Sequence, residues 1–162
     1  MHRIAEFMKV SCAQFEADWE FDTACPYDEL ILPRRGTAGS AGYDFYSPID
    51  FTLKPGEFIK IPTGIRAHID DGWVLTIYPR SGQGFKYRLQ LYNTVGIIDS
   101  DYFGAKNEGH IHIKIVNANE EGKTISVKKG EAFAQGIFLP FGITLDDDAS
   151  DVRTGGFGST DH

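Results

Sequence analysis

The sequence predicts an all-β domain, either a sandwich or a barrel, and three observations support this. Short segments of strand-like residues recur about every dozen residues along the chain, with turn-forming residues between them. Beyond the first twenty residues, no segment keeps the 3.6-residue apolar period of an amphipathic helix. The chain has 18 glycines and is 13% aromatic, and both features favour turns and strands over helices.

Seven segments are predicted as strands. The clearest covers residues 110–116, where three isoleucines alternate with two histidines and a lysine, the period of two expected of a half-buried strand. One or two helical turns are predicted at residues 84–88. In chain order, the predicted strands are residues 10–15, 58–61, 73–78, 89–92, 110–116, 124–127 and 133–139, of which the first and fourth are weak candidates.

The size and charge of the chain exclude several classes of protein. Its 162 residues suit a single domain whose core needs no disulfides. Asp and Glu outnumber Lys and Arg by 23 to 16, which argues against binding nucleic acid through its phosphates. Two cysteines, Cys12 and Cys25, are too few for a disulfide framework, and no apolar run is long enough for a membrane span. The N-terminus also lacks a signal-peptide pattern. We therefore expect a cytoplasmic protein with reduced thiols and no membrane partner.

The chain divides into a β-rich domain at residues 1–145 and a tail at residues 146–162. The tail opens with an acidic run at residues 146–151 and continues into a glycine-rich segment at residues 153–160. An acidic, turn-prone run favours a solvated linker. The tail is interpreted either as a mobile arm that has a function or as a frayed terminus.

Common nucleotide and metal motifs are absent from the sequence. There is no Walker-type GxxxxGK[ST], no GxGxxG that opens a helix after a strand, no CxxC and no HExxH. His110 and His112 share one face of a predicted strand and form a candidate metal pair, but two ligands do not make a metal site. Exposed strand positions are the simpler interpretation of these two histidines.

Four other segments combine residue types that are suited to ligand binding or catalysis. Residues 40–44 place a carboxylate after small residues, and residues 79–82 end a strand with a cation, a hydroxyl and a glycine, where backbone N–H groups can bind an anion. Residues 93–102 suit a hairpin that presents an Asn to a flat polar ligand. Residues 130–136 place a Gln in an apolar strand, where it needs a partner. Each segment also has an ordinary structural explanation: a strand start, a turn, a core hairpin or an amide bonded to backbone.

Taken in order with residues 153–160, these four segments resemble the five motifs of the trimeric dUTP nucleotidohydrolases (dUTPases). The resemblance runs from about residue 39 to residue 160, and five motifs in order are far more specific than any one of them. Residues 103–109 resemble an expanded hairpin of variants from Gram-positive bacteria and their phages. The resemblance implies a jelly-roll or distorted β-barrel subunit, a homotrimer, and three active sites that each draw on all three chains.

The implied activity is hydrolysis of dUTP to dUMP and pyrophosphate, with Mg²⁺ as cofactor. Asp99 would be the general base that orients a water for attack on the α-phosphorus. Asp44 would reach Mg²⁺ through water, and Arg80 is alternatively expected to pair with an acid on a neighbouring chain's hairpin. The resemblance implies these substrate-binding residues: Arg80, Ser81, Gly82, Asn93, Gly96, Ile98, Tyr102, His112, Gln135, Arg153, Phe157, Gly158 and Ser159.

Within that set, the resemblance also implies how the nucleoside is selected. Uracil would lie between the two strands of the hairpin, bound by Asn93 and hairpin backbone, with His112 closing the slot. Tyr102 would pack under the deoxyribose and exclude a 2′-hydroxyl. Phe157 would stack on the base as a lid carried by the arm of a third chain.

The sequence departs from the family pattern at its ends. Thr160 is followed by Asp161 and His162, where the family usually has a final glycine, and the first twenty-odd residues precede the usual start and have no assigned role. Two other functions fit the same family features. One is a regulatory, phage-type protein that binds a repressor-like partner, and the other is a dCTP deaminase, which the motif at residues 98–102 and the glycine-rich arm disfavour.

Overall fold

The computed structural model describes residues 2–153 and 155–156. Short strands predominate, with two α-helices and two short 3₁₀ helices, at Tyr27–Glu29 and Ser100–Gly104, in the described chain. The strands and helices are β1 Ala5–Lys9, α1 Cys12–Asp18, β2 Arg34–Arg35, β3 Tyr43–Tyr46, β4 Phe51–Leu53, β5 Phe58–Pro62, β6 Ile65–Ile69, β7 Trp73–Tyr78, α2 Ser81–Tyr87, β8 Leu89–Leu91, β9 Gly96–Ile98, β10 His112–Asn117, β11 Ile125–Val127 and β12 Ala132–Pro140.

All strand pairs in this part of the chain are antiparallel. The largest sheet has the order β2-β3-β12-β7-β9, and a second sheet has the order β5-β10-β8. Strand β1 pairs with β6, and β11 pairs with β4. Neighbours such as β12 and β3 lie far apart in sequence, so long-range pairing defines the fold, and the predicted all-β class is confirmed.

Six of the seven predicted strands are confirmed, each within two residues of its expected bounds. In β10 and just before it, the isoleucines at 111, 113 and 115 are each at most 2% exposed, as the alternation predicts. The core combines these with inward-facing residues of both larger sheets. Its largest fully buried members in these sheets include Phe45, Ile61, Leu75, Ile77, Leu89, Ile113, Ile115 and Phe133.

The predicted strand at residues 10–15 is wrong, because helix α1 begins at Cys12. The Ser11 side chain caps that helix by accepting a hydrogen bond from the Gln14 backbone N–H at 3.1 Å. Phe15 is fully buried while Cys12 and Glu16 remain exposed, so one helical face packs inward. The strand of this region, β1, precedes the helix and pairs with β6.

The predicted helical turns at residues 84–88 belong to helix α2, which starts three residues earlier. Gly84 donates the first intrahelical hydrogen bond to the carbonyl of Arg80 at 2.9 Å. The helix ends at Arg88, whose φ of 52° is left-handed. Helix α2 therefore follows directly from the turn that contains the second predicted motif.

The expected exposure of the two histidines is also wrong. His110 is fully buried and the side chain of His112 is only 10% exposed, because α1 covers this part of the sheet. The Phe15 ring packs edge-on against the His110 ring, with centroids 5.9 Å apart. The N-terminal segment, which had no assigned role, is thus an integral part of the folded domain.

Candidate active site

Three of the five motifs meet where strands β3, β7 and β12 pair. Gln135 of β12 lies opposite Asp44 of β3 on one side and opposite Tyr78 of β7 on the other. Its Nε2 donates a hydrogen bond to the carbonyl of Pro79 at 3.0 Å. The amide that the sequence predicts to need a partner therefore has one in the backbone, and the strand register brings the three motifs together.

An ion pair joins the first two motifs. Arg80 Nε lies 3.0 Å from Asp44 Oδ1, and both side chains are partly exposed. The resemblance suggested an acid on a neighbouring chain as the partner of Arg80, but in this chain the partner is Asp44. Carboxylate oxygens are the ligands that Mg²⁺ prefers, directly or through its waters, so Asp44 has the right chemistry for the predicted metal role.

Gly42 lets the backbone before β3 approach Gln135 closely. A Cβ placed at Gly42 would lie 2.4 Å from Gln135 Oε1, which is shorter than any real contact. Any side chain at this position would have to push the amide aside. The glycine two residues before Asp44 therefore permits this close approach.

Backbone donors lie beside this cluster. Ser81 and Gly82 form the exposed first turn of α2, and the first backbone N–H to find a partner inside the helix is that of Gly84. Gln83 anchors the turn to β12, because its Nε2 donates to the carbonyl of Ala132 at 3.1 Å. The turn thus presents a hydroxyl and free N–H groups close to the Asp44–Arg80 pair, which suits an anionic ligand.

A cavity of about 280 Å³ lies between the hairpin and the second sheet. It brings together Asn93, Gly96, Ile98 and His112, the residues predicted to form the slot for the base. Its walls are largely apolar, with polar groups at few points. A flat ligand with polar edges fits such a cavity. The lining residues are Lys60, Ile77, Leu91, Tyr92, Asn93, Gly96, Ile98, His112, Ile113 and Lys114.

Gly96 sets the distance between the hairpin and the sheet behind it. It pairs with Ile77, and a Cβ at Gly96 would lie 3.0 Å from the Cβ of Ile77. A larger residue would move β9 away from β7 and change the shape of the cavity. This explains why a glycine begins an otherwise apolar strand.

The predicted general base follows the cavity wall directly in sequence. Asp99 comes immediately after Ile98, and its side chain is 46% exposed. The guanidinium of Arg153 contacts it, with Nη2 2.6 Å from Asp99 Oδ2, and Nε of the same arginine lies 2.9 Å from Asp101 Oδ1. The resemblance implied that the arm lies over another chain's site, whereas here Arg153 pairs with carboxylates of its own chain.

Tyr102 is buried beneath this ion pair. Its hydroxyl donates to the carbonyl of His110 at 2.7 Å and accepts from Asn107 Nδ2 at 2.8 Å. Burial raises the pKa of this tyrosine, so the hydroxyl is neutral and fixed. A Cβ at Gly156 would lie 2.6 Å from the Tyr102 ring, so the arm backbone packs against that ring.

A second polar cluster lies on the other side of the cavity wall. Asp18 Oδ2 lies 2.5 Å from His110 Nδ1 and 3.4 Å from His112 Nε2, and the two ring nitrogens are 3.2 Å apart. Within residues 2–153 and 155–156, this is the one group of three side chains close enough together to hold a metal ion. No sequence signal pointed to Asp18, because it is 92 positions from His110.

Three predicted site residues, Phe157, Gly158 and Ser159, lie outside the described residues, as does Asp161. Lys60 and Lys114, which were not predicted as site residues, line the cavity from paired positions on β5 and β10. Both lysines occupy polar positions in strands where polar and apolar residues alternate. This alternation predicts that the side chains face outward, but it does not indicate that they line a cavity. In the described part of the chain, no helix is long and apolar enough to cross a membrane.

Comparisons with known proteins agree on one family. The dUTPase family model matches residues 28–161. The deoxyuridine 5′-triphosphate nucleotidohydrolase of Lactococcus lactis is 42% identical over 134 residues, which cover 81% of this chain and 88% of that protein. The enzyme of the same name from Psychromonas ingrahamii is 44% identical over 138 residues, which cover 80% and 87% of the two chains.

The fold is also found among solved dUTPase structures. The dUTPase of Streptococcus mutans superimposes with a TM-score of 0.66 at 33% identity, over 87% of this chain and 98% of that one. A dUTPase of Staphylococcus bacteriophage 80alpha superimposes with a TM-score of 0.66 at 22% identity, over 98% and 99% of the two chains, and this likeness supports the fold alone. Together with the family match, the relatives from Lactococcus lactis and Psychromonas ingrahamii establish that the chain belongs to the dUTPase family.

Proposed function

We propose that this protein hydrolyses dUTP to dUMP and pyrophosphate. The observation that carries the proposal is the position of Asp99, which directly follows the strand that forms one wall of the cavity. With uracil assigned to that cavity, the sugar and the α-phosphate are assigned to the end of the hairpin that carries the carboxylate. The relatives named as deoxyuridine 5′-triphosphate nucleotidohydrolases support the same substrate.

In the proposed reaction, Asp99 accepts a proton from the attacking water. The water oxygen forms a bond to the α-phosphorus, and the bond from that phosphorus to the oxygen bridging to the β-phosphate breaks. Pyrophosphate leaves, and dUMP remains with the new oxygen. A carboxylate is a sufficient base here because positioning and charge stabilisation dominate phosphoryl transfer.

The phosphate chain is assigned to the cluster beside α2 of a neighbouring chain, as the family resemblance implies, because Asp99 and Arg80 lie at opposite ends of β7 within one chain. Ser81 and Gly82 offer a hydroxyl and backbone N–H groups, and Gln135 offers an uncharged amide. Asp44 would hold Mg²⁺ through its waters, and a bound Mg²⁺ offsets negative charge on the phosphate oxygens. The Asp44–Arg80 ion pair keeps both side chains at the edge of this cluster.

The arm is assigned to the terminal phosphate. Arg153 already lies among the acids of the hairpin, and its fork of N–H donors suits two oxygens of either a carboxylate or a phosphate. A triphosphate would compete with Asp99 and Asp101 for that guanidinium and free Asp99 to act on water. We assign residues 146–162 to the linker and arm, and residues 1–145 to the domain.

Release of pyrophosphate from dUTP, dCTP, dTTP and UTP, measured in parallel, tests the proposed function. We expect dUTP to be hydrolysed far faster than the other three nucleotides. A preference for dCTP, or equal rates on all four, would contradict the assignment of the cavity to uracil.

We also propose that the active species is a homotrimer. From the end of β12 onward, every second residue is apolar and exposed in the single chain, namely Leu139, Phe141, Ile143 and Leu145. A row of exposed apolar residues this long fits a protein–protein contact better than a solvated tail. A second copy of the chain is the partner that the family resemblance implies.

The trimer can be tested by light scattering coupled to gel filtration. We expect a mass of about three times 18.0 kDa, since each proposed site draws on residues from more than one chain. Phe141→Asp should lower both the assembled mass and the activity, because a charge at a buried contact destabilises it. A fully active monomer would show that one chain carries a complete site.

Sugar selection is assigned to Tyr102, and two variants separate its ring from its hydroxyl. Tyr102→Phe removes the hydrogen bond to the His110 carbonyl but keeps the ring, so the ratio of kcat/KM for dUTP over UTP should hold. Tyr102→Ala removes the ring itself and should narrow that ratio by about 5- to 150-fold, since excluding a buried hydroxyl is worth ~1–3 kcal/mol. Equal ratios in both variants would place sugar selection elsewhere.

A further inference from the structure

The end of helix α1 contacts the wall of the cavity from behind. Phe15 anchors the helix in the core, and Asp18, its last residue, points its carboxylate at two histidines. One of these, His112, lines the cavity assigned to uracil. Nothing in the five motifs includes this contact, because α1 lies before all of them.

Hydrogen bonding fixes the proton on His110. Its Nε2 accepts a hydrogen bond from the backbone N–H of Gly64 at 2.8 Å, inside the core. A neutral imidazole carries one proton, so that proton is on Nδ1 and is donated to Asp18 Oδ2 at 2.5 Å. Burial lowers the pKa of His110 to about 4, so the ring is neutral at physiological pH.

The hydrogen bonds of His110 are also incompatible with a metal ion bound by Asp18, His110 and His112. A metal would bind His110 through the lone pair of Nδ1, and the ring proton would have to move to Nε2. There it would meet the N–H of Gly64, and two donors would face each other in the core. The three side chains have the composition of a metal site, but their hydrogen bonds are those of a carboxylate that receives protons from imidazoles.

The Asp18 carboxylate also determines which tautomer of His112 is favoured. Its Nε2 lies 3.4 Å from Asp18 Oδ2 and 3.2 Å from His110 Nδ1, whose proton is already given to Asp18. A lone pair on Nε2 would face the carboxylate and be repelled, whereas an N–H there is attracted. Asp18 therefore favours the Nε2–H tautomer of His112 and restrains rotation of its ring.

We propose that Asp18 is a positioning residue for the base pocket, acting through His112. A second contact supports this, because Glu20 pairs with Lys60, another residue of the cavity wall, at 3.1 Å. The N-terminal segment thus reaches the wall at two neighbouring strands. The proposal rests on the proposed function, since it assigns the cavity to the uracil of dUTP.

The test compares Asp18→Ala with Glu16→Ala, which removes an exposed carboxylate from the same helix. For Asp18→Ala we expect KM for dUTP and Kd for dUMP to rise about tenfold, with kcat within about twofold of the wild type. The base is bound alike before and during the reaction, so its loss affects KM and leaves kcat alone. Glu16→Ala should match the wild type in all three quantities.

Asp18→Asn serves as the conservative variant and guards against misfolding. Its amide oxygen still accepts the His110 proton, so the helix should stay docked with a smaller rise in KM, about threefold. Proton–nitrogen NMR of the imidazoles should show His110 protonated at Nδ1 and His112 at Nε2 in the wild type. In Asp18→Ala the His112 signal should become a mixture of tautomers, a change that loss of packing alone would not cause.

Each contrary result identifies its own error. Suppose that the wild type hydrolyses dUTP and that Asp18→Ala binds dUMP as tightly as the wild type. The positioning role of Asp18 is then wrong, and the proposed function stands. If the wild type hydrolyses no dUTP, the function fails and this role fails with it. The metal-stripped wild type should bind no zinc. If it binds one equivalent of zinc and Asp18→Ala binds none, the assignment of the histidine tautomers is wrong. If Asp18→Ala loses more in kcat than it changes in KM, the role of Asp18 is structural only.

Discussion

Replacing Asp99 with Asn is expected to lower kcat for dUTP by about 10²–10⁴-fold, the range typical for loss of a positioned general base. The substitution keeps the shape of the side chain and removes its ability to take a proton from water. Binding of a non-hydrolysable dUTP analogue should change little, because Asp99 follows the cavity wall and does not form part of it. Steady-state kinetics and calorimetric titration of the analogue measure the two quantities.

The structure provides a matched control for this experiment. Asp101 carries the same charge two residues away, and Arg153 contacts both acids, at 2.6 Å and 2.9 Å. If Asp99 acted only by holding Arg153, Asp101→Asn should lose activity to a similar extent. We expect Asp101→Asn to keep kcat within about tenfold of the wild type. Near-normal turnover by Asp99→Asn would show that another group activates the water.

Ending the chain after Asp151 should abolish most activity and leave the fold intact. Among the described residues, the last strand is β12, which ends at Pro140, so the cut leaves every described sheet intact. It removes Arg153, whose charge-assisted bonds to a phosphate are worth ~1.5–3 kcal/mol, or about 10- to 150-fold in rate. The cut also removes the arm that is proposed to exclude water from the site. We therefore expect kcat/KM for dUTP to fall by at least about 100-fold.

A second truncation separates the arginine from the rest of the arm. A chain that ends after Gly156 keeps Arg153 and the backbone that packs on the Tyr102 ring. Its activity should lie between that of the shorter chain and the full chain. Thermal unfolding and light scattering should be nearly the same for all three. If the chain that ends after Asp151 hydrolyses dUTP as fast as the full chain, the tail is a frayed terminus.

Closure of the arm can be followed separately in the full-length chain. Phe157→Trp should keep an aromatic cap for the base and report its environment by fluorescence. We expect a larger change with the non-hydrolysable analogue and Mg²⁺ than with dUMP, which offers no terminal phosphate to Arg153. Trp19 and Trp73 contribute background, so the wild type is the control.

Much of the sheet could be predicted because its signal is local. At residues 110–115, three polar residues alternate with isoleucines that are all buried, and this period of two is visible in the sequence. The strand at residues 10–15 was mispredicted for a related reason. Seven residues of helix with a single fully buried side chain, Phe15, are too short to show a period, and the cap at Ser11 decides the outcome.

The site was predictable in composition but not in its contacts. The ordered motifs identified Asp44, Arg80 and Gln135, yet the pairing of Arg80 with Asp44 depends on how β3 and β7 flank β12. The burial of His110 was missed because alternation placed it on the outer face of a strand. An outer face is exposed only when nothing covers it, and helix α1 covers this one.

The sequence by itself determined the all-β class, most of the strands, the family and the residues around which the chemistry is proposed. These follow from alternation, turn residues and motif order, each of which is written within a few neighbouring positions. Only the tertiary structure decided that Asp18 meets His110 across 92 positions and that Arg153 lies on Asp99 of its own chain. Such contacts depend on packing between distant segments, and the free energy of that packing is not encoded in any local pattern.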